Sequence, residues 1–312
     1  MKTTRYGPFP FSLIDERPLY ELPDNARVAL WVITNIEFFA LDRAMPGDSN
    51  ERPKGNEGTP QVRHWAQRDY GNRVGIVRLM DLLARYGIRS TVALNSDVCD
   101  VHPRIIERCV ALDWEFMGHN KTNLSRLNEI PLEEERATIR HVLDRIEKAT
   151  GTRPVGWLGS GLQETWNTLD HLAAEGCMYV ADWVNDDQPY TMTLDQGSLV
   201  SVPYSYELND MASIVRSKNT PGEFERMIKD QFDVLYEEGK TSGRVMAISL
   251  HPFVMGQPHR MPALARALDY ICSFDGVWKA TGAEIVSHFL SSRMNAVEPN
   301  ENIQPTRLDL EE

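Results

Sequence analysis

RVALWVIT, residues 27–34, contains six apolar residues without alternation, and Asn35-Ile36-Glu37 follows at once. A short unbroken apolar run between polar residues is the pattern of a strand buried on both faces of a parallel sheet. Such a strand needs helices over it, so this segment predicts an α/β fold whose first strand ends on an amide and a carboxylate. Because strand side chains alternate, Asn35 and Glu37 share one side and aim into the same space.

Outward from this strand the same unit repeats. Val74, Val77, Leu82 and Leu83 predict a helix face beginning near Asn72 and ending at Gly87, before a strand STVAL at 90–94. A helix opened by His102-Pro103 runs to Leu112, and WEFMG is a short strand. Pro131 opens a long helix with Ile139, Val142, Leu143 and Ile146 on one side, stopped by Gly151. PVGWL, CMYVAD and SLVSVPY are further strands, with a helix from Glu164 to Glu175 after the first of these. The helix after Pro221 ends at Gly239, before RVMAISL at 244–250 and a last strand GVWKA. Seven or eight such units without a break in composition predict one barrel-like domain over 27–290, with an N-terminal arm at 1–26 and a polar C-terminal tail at 291–312. The alternative, an open doubly wound sheet, lacks its usual GxGxxG or Walker phosphate-binding sequences. Residues 42–72, rich in Gly, Pro, Arg and Asn, predict a functional loop over the barrel mouth.

Composition removes several functions. The chain has 312 residues and a formal net charge of −12, and no basic patch that would offset its repulsion from nucleic acid. Cys99, Cys109, Cys177 and Cys272 form no CxxC pair, which argues against a zinc ribbon and a disulfide framework and favours a reducing cytoplasm. No apolar stretch approaches a membrane span, and the first residues carry no signal core. The expectation is a soluble cytoplasmic protein acting on a small molecule, away from membranes and nucleic acid.

In a (β/α) barrel the residues just past each strand converge on one face. Those positions hold Asn35 and Glu37, His119 and Asn123, Asp182, Tyr204, and His251 before Pro252. Glu37, His119 and His251 are the candidate catalytic groups. Asn35, Asn123, Arg63, Asp182, Tyr204 and His259 are the candidate substrate contacts, and Trp65, Trp157 and Trp183 are possible pocket walls. His64, His102, His141, His171 and His288 read as structural or solvent-facing. With no GxSxG, HExxH or catalytic-cysteine context, covalent acyl transfer has no support.

These residues resemble the polysaccharide deacetylase (NodB-homology) superfamily, specifically its intracellular branch of metal-independent allantoinases and cyclic imide hydrolases. The similar stretches are Asn35-Ile36-Glu37 at the family's Asp-x-Asp position, Arg68 to Gly75, Gly118-His119-xxx-Asn123 at its His-xxx-His position, and Asn185 to Tyr190. They close with Ser249-Leu250-His251-Pro252-Phe253, followed by Gly256-Gln257-Pro258, Arg260 to Leu264 and Asp275 to Trp278. The resemblance implies a distorted (β/α)7 barrel, a homo-oligomer and hydrolysis of a C–N bond in an amide, cyclic ureide or cyclic imide.

In the metal-dependent members the first Asp is the base, and the second Asp with both histidines holds a divalent cation. Here Asn35 and Asn123 stand at the base position and at one ligand position. An amide neither takes up a proton near neutrality nor binds zinc strongly. The expectation is therefore no cofactor, with Glu37 as base on a water, its pKa lifted toward neutrality by burial. His119 and His251 would hold the carbonyl and protonate the departing nitrogen, and the two asparagines would orient substrate. The alternatives are a metal-dependent N-deacetylase with an unidentified third ligand, and an inactive barrel used as a sensor or scaffold.

Overall fold

The computed structural model describes residues 6–45 and 59–295. Its strands are β1 (Val28–Ile36), β2 (Thr91–Leu94), β3 (Glu115–Gly118), β4 (Gly156–Trp157), β5 (Tyr179–Val180), β6 (Tyr190–Thr191), β7 (Val200–Ser201), β8 (Arg244–Leu250) and β9 (Val277–Lys279). The helices are α1 (Val62–Tyr70), α2 (Ile76–Arg85), α3 (Val98–Val101), α4 (Pro103–Ala111), α5 (Leu132–Thr150), α6 (Thr168–Ala174), α7 (Pro221–Glu238), α8 (Met261–Cys272) and α9 (Gly282–Asn295).

Seven parallel strands run in the order β7-β5-β4-β3-β2-β1-β8, with β6 antiparallel on β7 and β9 beside the first half of β1. Between β7 and β8 no strand pairing closes the circle. The gap is bridged by loop backbone, Val245 N–H donating to Asp187 O at 2.8 Å and Ser249 N–H to Leu208 O at 2.9 Å. This is the single distorted (β/α)7 barrel expected from the repeating units and the resemblance.

β1 shows how the sequence makes the layers. Val28, Leu30, Val32 and Ile36 join the core between sheet and helices, whereas Ala29, Trp31 and Ile33 join the core inside the barrel. The alternation puts Asn35, and Glu37 beyond it, on the inward set. Register supplies the partners. Thr34 is level with Leu250 and Ile36 with Leu94, which is in turn level with Gly118, so His251 and His119 each begin one residue past a strand end on the same rim.

Three local expectations change. The helix expected from Asn72 begins at Val62, inside the supposed loop 42–72, and passes through a π-helical turn at Gly71–Gly75 into α2; residues 46–58 of that loop lie outside the described residues. Two positions in that turn take glycine because a distant backbone presses on them. A Cβ on Gly75 would stand 2.0 Å from Pro252 O, and one on Gly71 2.5 Å from Phe253 N. The helix expected from Glu164 starts only at Thr168, and β6 was not legible as a strand. At the C-terminal end α9 continues to Asn295, and the following residues are outside the described set. Among the described residues no helix is long and apolar enough to cross a membrane.

Candidate active site

Glu37, His119 and His251 meet at the rim where β1, β3 and β8 end. Glu37 Oε1 lies 3.7 Å from His119 Nε2 and 3.6 Å from His251 Nε2, and all three side chains are buried. Both separations exceed a direct hydrogen bond, so the carboxylate stands between two imidazoles without bonding either, and all three face the same cavity.

Local bonds fix this arrangement. Asn72 Nδ2, from the π-helical turn, donates to Glu37 O at 3.0 Å. Asn95, just past β2, accepts Phe38 N–H at 2.9 Å and donates to His119 O, tying the exits of β1 and β3 together. His119 Nδ1 is 2.6 Å from Leu158 O. A carbonyl only accepts, so Nδ1 carries the hydrogen and Nε2 of neutral His119 presents its lone pair to the cavity.

His251 is held differently. Asp210 Oδ1 accepts from its Nδ1 at 2.7 Å, and Oδ2 accepts its backbone N–H at 2.8 Å. Asp210 is fully buried and was not among the candidates found in the sequence. In the structure it precedes the π-helical turn Met211–Arg216 but makes no side-chain cap bond. Its carboxylate is committed to His251 instead.

The charges follow. Burial lowers the His251 pKa, but the carboxylates of Asp210 and Glu37 outweigh it and push the imidazole up to about 10. Burial likewise raises the Glu37 carboxyl, and the charge of the nearby His251, with His119 on its other side, reverses this, holding it at about 2. The expected rise of Glu37 toward neutrality is therefore overturned. An imidazolium opposite it wins over desolvation, and the resting site pairs a Glu37 carboxylate with a His251 cation.

A cavity of about 160 Å³ opens above this pair, a volume of roughly five waters. Of the sequence candidates Asn35, Asn123 and Tyr204 line it with the three ionisable groups. Both asparagines turn their amide hydrogens toward protein acceptors. Asn123 Nδ2 donates to Glu37 Oε1 at 2.6 Å, and Asn35 Nδ2 to Ser249 Oγ at 2.9 Å and Leu250 O at 3.2 Å. Tyr204 OH bonds the same Ser249 Oγ, and burial pushes its phenol well above the ordinary range.

Arg63, Asp182 and His259 do not line the cavity. Arg63 is exposed on α1 beside His64, and His259 is exposed in the turn before α8. Asp182 lies behind the wall, its Oδ1 accepting Gly159 N–H at 2.7 Å. Its Oδ2 and Glu164 Oε2 are buried without a hydrogen-bond donor. Burial lifts Asp182 to about 6 and Glu164 well above the carboxylate range, the neighbouring acid adding to the rise at Glu164. Trp65, Trp157 and Trp183 are also elsewhere. Phe39, Tyr206 and Phe253 supply the aromatic wall, and Arg68, Arg126 and Arg216 complete the charged lining. Their positions in helix or loop gave no strand-end signal.

A divalent cation needs three or more deprotonated donors around one point. Glu37 and His119 supply two. Asn123 presents an amide nitrogen, and His251 Nε2 carries a proton. Among the described residues no group of three or more His, Cys, Asp or Glu is arranged to hold a metal ion. The donor set does not match that of a resident divalent cation.

No family model matches the chain. A curated Schizosaccharomyces pombe protein, "Putative polysaccharide deacetylase", is 27% identical over 238 residues, spanning 70% of this chain and 73% of that one. A crystal structure described as a "probable Polysaccharide deacetylase" from Pseudomonas aeruginosa PAO1 is 28% identical with a TM-score of 0.82, over 91% of this chain and 98% of that one. The crystal structure of PuuE allantoinase is 25% identical with a TM-score of 0.78, over the same shares of the two chains. The resemblance to the polysaccharide deacetylase superfamily, first carried by motifs at the strand ends, thus holds in both sequence and fold.

Proposed function

We propose that the protein is a hydrolase that opens a non-peptide C–N bond in a small amide, cyclic ureide or cyclic imide, using its own side chains without a metal. The observation that carries this reading is the placement of the Glu37 carboxylate nearly midway between two imidazoles, one tied through Nδ1 to a carbonyl and the other through Nδ1 to a buried carboxylate.

With Glu37 held as a weak base, the lone pair able to take a proton belongs to His119 Nε2. A water between His119 and Glu37 gives one proton to Nε2 while its oxygen bonds to the carbonyl carbon. His251 Nε2–H first faces the developing oxyanion, then passes its proton to the nitrogen as the C–N bond breaks. Products are a carboxylic acid and an amine, or one opened chain from a ring. Before reaction the cation is His251, afterwards it is His119, and Glu37 neighbours both. The three groups begin and end with the same total charge, a proton having changed sides, and in between the charge of the oxyanion is matched by the second imidazolium beside it. Asp210 keeps His251 in the right tautomer, and Asn123 holds the Glu37 carboxylate in place.

A metal-dependent N-deacetylase is the second reading. One observation favours it: an imidazole whose Nδ1–H bonds a carbonyl and whose Nε2 is bare is also how a metal-binding histidine is prepared. The two readings separate in one experiment. Protein purified without chelator is analysed for zinc, manganese and nickel, then assayed against hydantoin, succinimide, maleimide and simple N-acyl amines, with and without chelator. Ring opening that survives chelation and needs both imidazoles supports the proposal. A stoichiometric cation whose removal abolishes activity and whose return restores it would falsify it, and binding without turnover across the panel favours a sensor.

A further inference from the structure

Arg126 and Arg216 both line the cavity and both are exposed, one in the loop past β3 and the other ending the π-helical turn Met211–Arg216. The Arg126 guanidinium runs alongside Gly161, its Nε and Cζ 3.2 and 3.4 Å from where a Cβ there would stand. Arg216 Nη1 donates to Tyr206 OH at 3.0 Å, a neutral partner that is itself in the lining. Among the described residues neither arginine makes an ion pair, a state that Arg78, Arg108 and Arg226 share, but these two open onto the same cavity. In a chain of net charge −12 the acids are plentiful, so two arginines left without one at a single rim are an arrangement that a ligand anion completes.

The inner end of the same cavity holds two carboxylates, Glu37 and Asp210, against the one His251 cation. An anion therefore gains nothing by going deep and is drawn to the rim. A volume near 160 Å³ holds one small ring and a short arm, which sets the reacting carbonyl inside and the arm at the mouth.

Resting on the hydrolase reading above, we infer that the substrate is a small cyclic or acyclic amide bearing a carboxylate, which Arg126 and Arg216 clamp while its C–N bond lies against Glu37, His119 and His251. The arginines then decide between charged and neutral substrates of similar size and take no part in bond breaking.

The test compares a hydantoin ring bearing a carboxymethyl arm with the same ring bearing a hydroxyethyl arm, by calorimetric affinity and by KM for ring opening. The expected preference for the charged arm is about ten-fold or more, the size of one charge-assisted contact. It should shrink at high salt and fall to near parity in the R126Q/R216Q double variant. Arg226→Gln, an equal loss of charge on the exposed side of α7, should leave the preference intact. Equal affinity for the two arms, a preference surviving the double variant, or no binding of either ring overturns the inference. The hydrolase reading fails separately, when neither these rings nor the neutral panel is opened. A charge preference in binding without turnover therefore removes hydrolysis but keeps the clamp.

Discussion

Glu115 begins β3 at one end of the barrel, and Glu37 follows β1 at the other. Glu115 accepts from Thr91 Oγ1 at 2.7 Å, Tyr179 OH at 2.8 Å and Ala283 N–H at 3.1 Å, all neutral donors within bonding distance. Burial raises its pKa, and those bonds only partly pull it back. Glu37 has one such neutral bond, from Asn123, and two imidazoles that stop short of contact. The first carboxylate is saturated by its own protein, which is how a structural group is held. The second is held by charge at a distance, and the space left is where chemistry can enter.

The largest expected contrast is between substitutions of these two acids. Glu37→Gln keeps shape and removes the charge that steadies both imidazoles, so turnover should fall on the order of 10³-fold with little change in the unfolding midpoint. Glu115→Gln should do the reverse, costing about 1–3 kcal/mol of stability by leaving buried donors mismatched while rates stay within a few-fold. Initial rates and urea unfolding on both variants check this, and equal rate losses would erase the contrast.

A smaller effect sharpens the Glu37 end. Asp210→Asn should lower turnover on the order of 10²-fold, because His251 loses the partner that fixes its proton-bearing tautomer. It should also lower the His251 pKa, so the fall of activity on the alkaline side moves to lower pH. A pH–rate profile reads the shift directly, and a drop in rate with an unmoved profile would assign Asp210 a purely packing role.

The smallest effect is on stability against pH. His251 rises from 6.5 to about 10 on folding, so its contribution is complete below about pH 6.5 and is lost as pH climbs toward 10. Glu37 falls from 4.5 to about 2, and its contribution is present above about pH 4.5 and lost as pH drops toward 2. Urea midpoints measured across this range should show the pair helping most between those limits, with the dependence flattened in His251→Gln.

Much of the fold was legible because its signals are local. The apolar run of β1, the apolar strand before His251 and the helix faces of α5 and α7 depend on neighbours within a few residues, and they gave the barrel nearly complete. The same locality misled before Asn72, where the expected loop 42–72 holds α1 from Val62, and it gave no sign that Pro252 and Phe253 press on Gly75 and Gly71 from a distant loop. At the site, Glu37, His119, His251, Asn35, Asn123 and Tyr204 were findable as strand-end residues. Asp182 had the right neighbourhood but the wrong side of a wall, and Arg63 and His259 face outward away from the cavity. Asp210, Arg126 and Arg216 had no strand before them to mark them.

The sequence by itself determined that a carboxylate and two imidazoles stand at one rim of a barrel, since strand period and chain order suffice to say which residues face inward. Only the tertiary structure decided their charges. Asp210 lies 41 residues from His251, and the balance between burial and an opposing charge is set by separations of a few ångströms that no sequence spacing encodes.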